Sequence, residues 1–233
     1  MSKILEKESC IFRDREDASA KLIAVLPKEI LKPDETVVLG VSEGGVYFAD
    51  KIAEVLECRM DILLSEPIFS NVNPKLAIAM IGETEKIVMH KALIEAFDIS
   101  KDYIYSEADQ KYQEVIVTYV NKYRDGLVLD GLNGKYVVLV DECVETGLTM
   151  MTAIKTVISL GAKNIFIAVP ILDNVVYENL IKVCDDLFCS YKIDDYISIE
   201  YYYDSLKEFS FEEIDKIMYS NKIKNKKTEE NRE

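Results

Sequence analysis

Two periods of apolar and polar residues alternate along this chain. TVVLGV (36–41), MDILLS (60–65), YVVLV (136–140), NIFIAVP (164–170) and DLFC (186–189) are short, continuous apolar runs between turn residues, and they read as buried strands. MDILLS is expected to stop at Pro67. Residues 17–31, 46–56, 148–160 and 173–183 instead carry apolar positions three or four apart and read as helices, with Pro27 near the end of the first and Gly161 as a C-cap after the third. Strands and helices alternating at these lengths predict an α/β fold, with a mostly parallel central sheet flanked by helices and right-handed crossovers.

The alternation breaks twice. Between about 60 and 110, residues 76–81 and 86–89 read as a hairpin around Gly82, and a charged amphipathic helix follows over 105–123. The second break begins after residue 190. Both stretches are expected to build a small hood over the carboxyl edge of the sheet, where open α/β sheets bind ligands. Residues 1–220 read as a single domain. The polar stretch 221–233 (NKIKNKKTEENRE) reads as a flexible tail with a frayed end.

Composition narrows the classes. Apolar residues make up 49% of 233, enough for a full core without metal or disulfide staples. A net charge of −14 argues against a nucleic-acid binder or an anionic-membrane binder, since both need a positive field. No run approaches the length of a membrane span, and MSKILEKESC lacks the features of a signal peptide. The five scattered cysteines form no Cys-x-x-Cys pair, which predicts a reducing, cytoplasmic setting. His90 is the single histidine, so a multi-histidine metal centre within one chain is excluded.

One segment carries candidate chemistry. In VVLVDECVETGLTM (137–150) a strand delivers Asp141 and Glu142 to the sheet's carboxyl edge. Gly147 permits a tight turn and close backbone approach. Thr146 and Thr149 add hydroxyls, and the amides of 146–149 open a helix whose dipole favours a phosphate. Asp141 and Glu142 are suited to neutral hydroxyls such as a ribose diol, and the pair also suits Mg²⁺, directly or through water. Taken residue by residue, the threonines also fit plain helix caps and the acids fit solvated side chains. Four β-formers, two acids, a three-residue spacer and Thr-Gly-x-Thr together form a pattern that chance seldom makes.

That string resembles the phosphoribosyl-pyrophosphate motif of type I phosphoribosyltransferases. FRDREDA (12–18), VVLGVSEGGVYFA (37–49), NPKLAIAMIGE (73–83) and YYYDSLKEFSFEEI (201–214) are similar, in the same order, to segments of a bacterial phosphoribosyltransferase-like family. The resemblance implies transfer of a 5-phosphoribosyl group between phosphoribosyl pyrophosphate and a nitrogenous acceptor, with Mg²⁺ on the sugar diphosphate. It implies that Asp141 and Glu142 bind the ribose hydroxyls and that residues 145–149, including Leu148, wrap the 5-phosphate. Glu145 would be the general base near the acceptor. Tyr202 and Tyr203 lie where some relatives stack a base; packing beneath the hood is the competing reading. A homodimer is implied as well.

Two positions depart from the family pattern. The pyrophosphate loop usually has a basic residue before two glycines, but here it is Ser42-Glu43-Gly44-Gly45. An Arg-Lys pair common after the second strand is replaced by Ser65-Glu66. Lys75, Lys86 and Arg124 are the candidate compensating cations, although each also reads as an ordinary surface charge. These departures leave a second functional reading open: a non-catalytic protein that senses a nucleotide or phosphoribosyl pyrophosphate.

Overall fold

The computed structural model describes residues 10–207 and 209–230. Residues 1–9, on which the expected lack of a signal peptide rests, and 231–233 of the expected tail lie outside them.

Five strands form the central sheet: β1 (Thr36–Gly40), β2 (Arg59–Ile62), β6 (Tyr136–Val140), β7 (Asn164–Asp173) and β8 (Asp186–Ile193). Their order is β2-β1-β6-β7-β8, and every neighbouring pair is parallel. The residues alternate between two cores as a strand's two-residue period requires. Val38, Val138, Val140, Phe166 and Ala168 face one core; Val37, Leu39, Val137, Leu139, Ile165 and Ile167 face the other. Both faces are covered, which explains why these strands read as unbroken apolar runs. Helices α1 (Arg15–Ala24), α2 (Glu43–Leu56) and α8 (Phe211–Glu230) contribute Leu22, Ile52 and Ile214 to the first core. Helices α6 (Leu148–Ser159) and α7 (Asn174–Leu180) contribute Val157 and Leu180 to the second.

From β1 the chain crosses to β2 on one side, while β6 lies on the other. The carboxyl ends of β1 and β6 therefore meet at the switch point of the sheet, where the amide of Val41 donates to the Val140 carbonyl at 3.0 Å.

A second, antiparallel sheet holds β3 (Ser65–Phe69), β4 (Ala77–Gly82) and β5 (Ile87–Met89). The expected strand 60–65 divides between the two sheets. It leaves the large one at Ile62 and resumes in the small one at Ser65. Pro67 does not end it but pairs with Met80 on an edge strand, where a missing amide is tolerated. The hairpin around Gly82 forms as expected, and His90 caps α3 (Lys91–Ala96) by accepting the Leu93 amide at 3.3 Å. The long charged helix appears as α4 (Lys101–Lys111), a π-helical stretch over Tyr112–Ile116, and α5 (Val117–Arg124).

Helix α1 is shorter than expected and ends at Ala24, because Pro27 disfavours helical backbone before it. The largest correction concerns the tail. Helix α8 runs straight through Asn221, which is only 5% exposed and donates to Asp50 at 2.7 Å. Asn225 donates to the Met60 carbonyl at 3.0 Å. Two amide side chains thus anchor a segment whose polarity suggested a frayed end. Among the described residues no helix is long and apolar enough to cross a membrane.

Candidate phosphate and ribose site

The loops after β1 and β6 build one site. Ser42 is the N-cap of α2: its hydroxyl oxygen accepts the Gly45 amide at 2.9 Å, and its hydroxyl hydrogen is donated to Asp141. Gly45 packs so tightly against β6 that a Cβ there would sit 2.4 Å from the Val140 carbonyl oxygen. A Cβ on Gly44 would sit 2.5 Å from Oε2 of Glu142. Both glycines are therefore required by close approach of the two loops.

Asp141 is 9% exposed, and its Oδ1 also accepts the Glu142 amide at 2.8 Å. Burial, reinforced by the Glu142 and Glu145 charges, outweighs these two hydrogen bonds and pushes its carboxyl up to about 7. Glu142 is held by Arg15, whose Nε and second terminal nitrogen both donate to its carboxylate.

Downstream, Gly147 has φ 77°, a left-handed conformation that favours glycine, and it opens α6. Gly147, the N-cap residue, has no side chain to cap this helix, unlike the N-cap residues of α1, α2, α4 and α7. Beyond the Leu148 amide, the first-turn amides and the helix dipole suit an anion. Thr146 lies close by, its Oγ1 accepting the Leu148 amide at 3.4 Å. Glu145 and Thr146 are exposed, Thr149 is half-buried, and Leu148 is buried. Ser42, Asp141, Glu142, Glu145, Thr146, Gly147 and Thr149 share a cavity of about 300 Å³. Cys143 is part of the same wall. Its thiol is pushed up to about 12 by burial and accepts the Tyr196 hydroxyl at 3.5 Å, so it is a neutral spacer rather than a nucleophile.

Several expected participants lie elsewhere. Glu43 is exposed in the first turn of α2, where its charge suits the helix dipole, and it does not line the cavity. Ser65 and Glu66 lie on β3 and are also absent from the lining. Tyr202 and Tyr203 are corrected as base-stacking residues. They are 6% and 2% exposed, and their rings pack against Tyr196, Tyr201 and Phe12. Among the described residues, none of 60–110 lines this cavity, and Ile199 is the one lining residue from the later hood segment. Arg15 was missed as a site residue, although it stands inside the quoted FRDREDA.

The carboxylates were also expected to hold Mg²⁺. Glu142 fits poorly, since both its oxygens accept from Arg15. Asp141 fits better, because its protein hydrogen bonds fall on Oδ1 and leave Oδ2. Among the described residues, no group of three or more His, Cys, Asp or Glu side chains could hold a metal. This donor set suits an ion carried mainly by a ligand's own oxygens.

A parallel sheet whose switch point brings together a carboxylate pair and the start of a helix has the architecture of an open α/β fold with its candidate ligand site at the carboxyl edge. Residues 12–206 match the phosphoribosyl transferase domain, and the chain belongs to that family. It is 27% identical over 180 residues to "Putative phosphoribosyl transferase Rv0571c" of Mycobacterium tuberculosis and, equally, to "Putative phosphoribosyl transferase MT0597" from another strain. Those matches cover 77% of this chain but only 40% of the length of these relatives. The crystal structure of TT1426 from Thermus thermophilus is 28% identical and superposes with a TM-score of 0.72, covering 89% of this chain and 97% of that one.

Proposed function

We propose that this protein transfers a 5-phosphoribosyl group between phosphoribosyl pyrophosphate and a nitrogenous base or related acceptor. One observation carries the reading: the start of α6, with the left-handed Gly147 as its N-cap, opens into the same cavity as Asp141. In this reading the amides and hydroxyls of Thr146–Thr149 hold the 5-phosphate, and Asp141 and Glu142 accept hydrogen bonds from the ribose diol. An acceptor nitrogen bonds to C1 of the ribose, and the C1–oxygen bond breaks with its electron pair leaving on pyrophosphate. Glu145, exposed on the loop, takes the proton released by the acceptor. Bound Mg²⁺ would neutralise diphosphate charge, with Asp141 Oδ2 as the protein oxygen free to approach it. A homodimer in a cytoplasmic setting belongs to the same proposal; a monomeric mass by light scattering would refute the dimer.

One observation favours the alternative, a non-catalytic sensor of a nucleotide or phosphoribosyl pyrophosphate. Among the described residues, the cavity is lined by three carboxylates and by no lysine or arginine. Loss of charge stabilisation at a leaving group can cost orders of magnitude in rate. Calorimetry with phosphoribosyl pyrophosphate and nucleoside monophosphates, with and without Mg²⁺, tests both readings. Pyrophosphate release with one of a panel of bases supports transfer. Binding without release supports the sensor, and failure to bind either ligand removes both.

A further inference from the structure

The diphosphate of the proposed substrate needs a cation, and Ser42-Glu43-Gly44-Gly45 supplies none. The three cations expected to compensate do not meet that need. Lys75 and Lys86 are exposed, and neither lines the motif cavity. Arg124 is buried in an ion pair with Glu83.

Arg15 does not line the motif cavity either, but it bonds directly to Glu142, which does. Its side chain is 13% exposed and makes three kinds of contact. It donates twice to Glu142, once to the Lys207 carbonyl, and stacks 4.2 Å from the centroid of the Phe209 ring. The Glu142 oxygen that it holds at 3.2 Å is the one against which a Gly44 side chain would collide. The guanidinium and the glycine loop are thus separated by a single carboxylate. Among the described residues, three of the five guanidinium N–H groups have protein acceptors and two have none. Arg15 also borders a cavity of about 320 Å³ in which Lys207 adds a second cation and Asp14, Glu16 and Glu213 oppose it.

We propose that Arg15 is the diphosphate-binding cation of this site, held on Glu142 until substrate displaces it. The proposal rests on the phosphoribosyl reading above. Arg15 takes one acceptor site on each Glu142 oxygen, so a ribose diol that reaches Glu142 must share the carboxylate with the guanidinium and weakens its hold there. A guanidinium loosened from Glu142 keeps its anchors on Lys207 and Phe209. Its planar fork suits phosphate oxygens better than a point charge does. In this way one exchange of partners frees the sugar-binding carboxylate and supplies the missing positive charge. The same pairing keeps an acidic pocket from carrying an uncompensated carboxylate when no ligand is bound.

The test is calorimetry of the full chain, with Mg²⁺, against phosphoribosyl pyrophosphate and against ribose 5-phosphate, which lacks the diphosphate. Arg15→Gln should lose about ten- to thirtyfold in affinity for the first and no more than about threefold for the second. Arg15→Lys should fall between wild type and Arg15→Gln for the diphosphate ligand. It carries the comparison if Arg15→Gln melts below the assay temperature. An equal loss for both ligands would overturn the proposal, because Arg15 would then act only by orienting Glu142. Unchanged affinity for both would overturn it too. Wild-type protein that binds neither ligand would instead defeat the phosphoribosyl reading, and this inference with it.

Discussion

The Ser42 hydroxyl donates to Oδ1 of Asp141 across 99 residues of sequence, while its oxygen accepts the amide of Gly45. One small side chain therefore caps α2 and fastens the loop after β1 to the loop after β6. Ser42→Ala should lose about 1–2 kcal/mol, the usual cost of an N-cap plus a donor to a buried carboxylate. For a chain of this size that is a melting-temperature drop of roughly 2–8 °C. Ser42→Thr, which keeps the hydroxyl, should restore most of it. A thermal melt of the three proteins in one buffer decides the matter, and an unchanged Ser42→Ala midpoint would show that the hydroxyl does not bear on stability.

Asp141 should make stability fall as pH rises. Burial lifts its folded carboxyl to about 7, above the unfolded value near 4, so the folded state binds the proton more tightly. The penalty is absent below the unfolded value, grows between about pH 4 and 7, and is complete above. Its ceiling is on the order of 4 kcal/mol. Asp141→Asn, which keeps an acceptor for Ser42 and the Glu142 amide, should therefore melt above wild type at pH 8, with the gap closing toward pH 5. Ligand affinity should move the other way, because ribose hydroxyls need the charged carboxylate. A gap that stays constant across this pH range would contradict the assignment.

The parts of the site that could be read from sequence were local. Asp141 to Thr149 is one continuous segment, and its strand, turn and helix each have a signature in residue type and spacing. The sheet was equally legible because its central strands β1, β6 and β7, covered on both faces, are apolar over most of their length. What could not be read depended on contacts across the chain. Arg15 meets Glu142 across 127 residues, and nothing in FRDREDA says where a guanidinium will point. Tyr202 and Tyr203 look alike whether they stack on a ligand or fill a core, and it is their burial against Phe12, Tyr196 and Tyr201 that separates the two. The run MDILLSEPIF could not reveal that it changes sheets at Leu63 and Leu64, because both halves are extended. Charge alone made 221–230 look like a tail, although the Asn221 and Asn225 amides dock it.

Glu145→Gln should separate chemistry from binding. The residue is exposed, so its loss should change stability by less than about 0.5 kcal/mol. If it accepts the acceptor's proton, turnover should fall about a hundredfold or more, with substrate affinity within a factor of a few. Equal turnover for the two proteins would remove Glu145 from the chemistry.

Two glycines should fail in different ways. A Cβ on Gly45 would lie 2.4 Å from backbone oxygen, which no rotamer can relieve, so Gly45→Ala should cost about 3 kcal/mol of stability. At Gly147 the space is open, the nearest atom being Val176 Cγ1 at 3.9 Å, and the obstacle is φ 77°. Gly147→Ala should cost about 1–2 kcal/mol, but it should distort the amides proposed to hold the phosphate. Chemical denaturation paired with ribose 5-phosphate titration should find the larger stability loss at Gly45. The larger loss of affinity relative to stability should appear at Gly147.

The end of the chain provides the last contrast. Asn221 is 5% exposed, with its amide shared between Asp50 and the Ile217 carbonyl, and Asn225 reaches the Met60 carbonyl at the end of the sheet opposite the motif. Removing Asn221 strands a half-buried Asp50 carboxylate without this donor, so Asn221→Ala should cost about 1–2 kcal/mol. Truncation before Asn221 removes both amide anchors and the last turns of α8 that cover β2, and it should cost more than the point change. A frayed tail predicts the opposite: deletion would leave the melting temperature where it was. Comparing wild type, Asn221→Ala and the truncated chain in one melting series separates the two, because only a docked helix makes the three midpoints fall in that order.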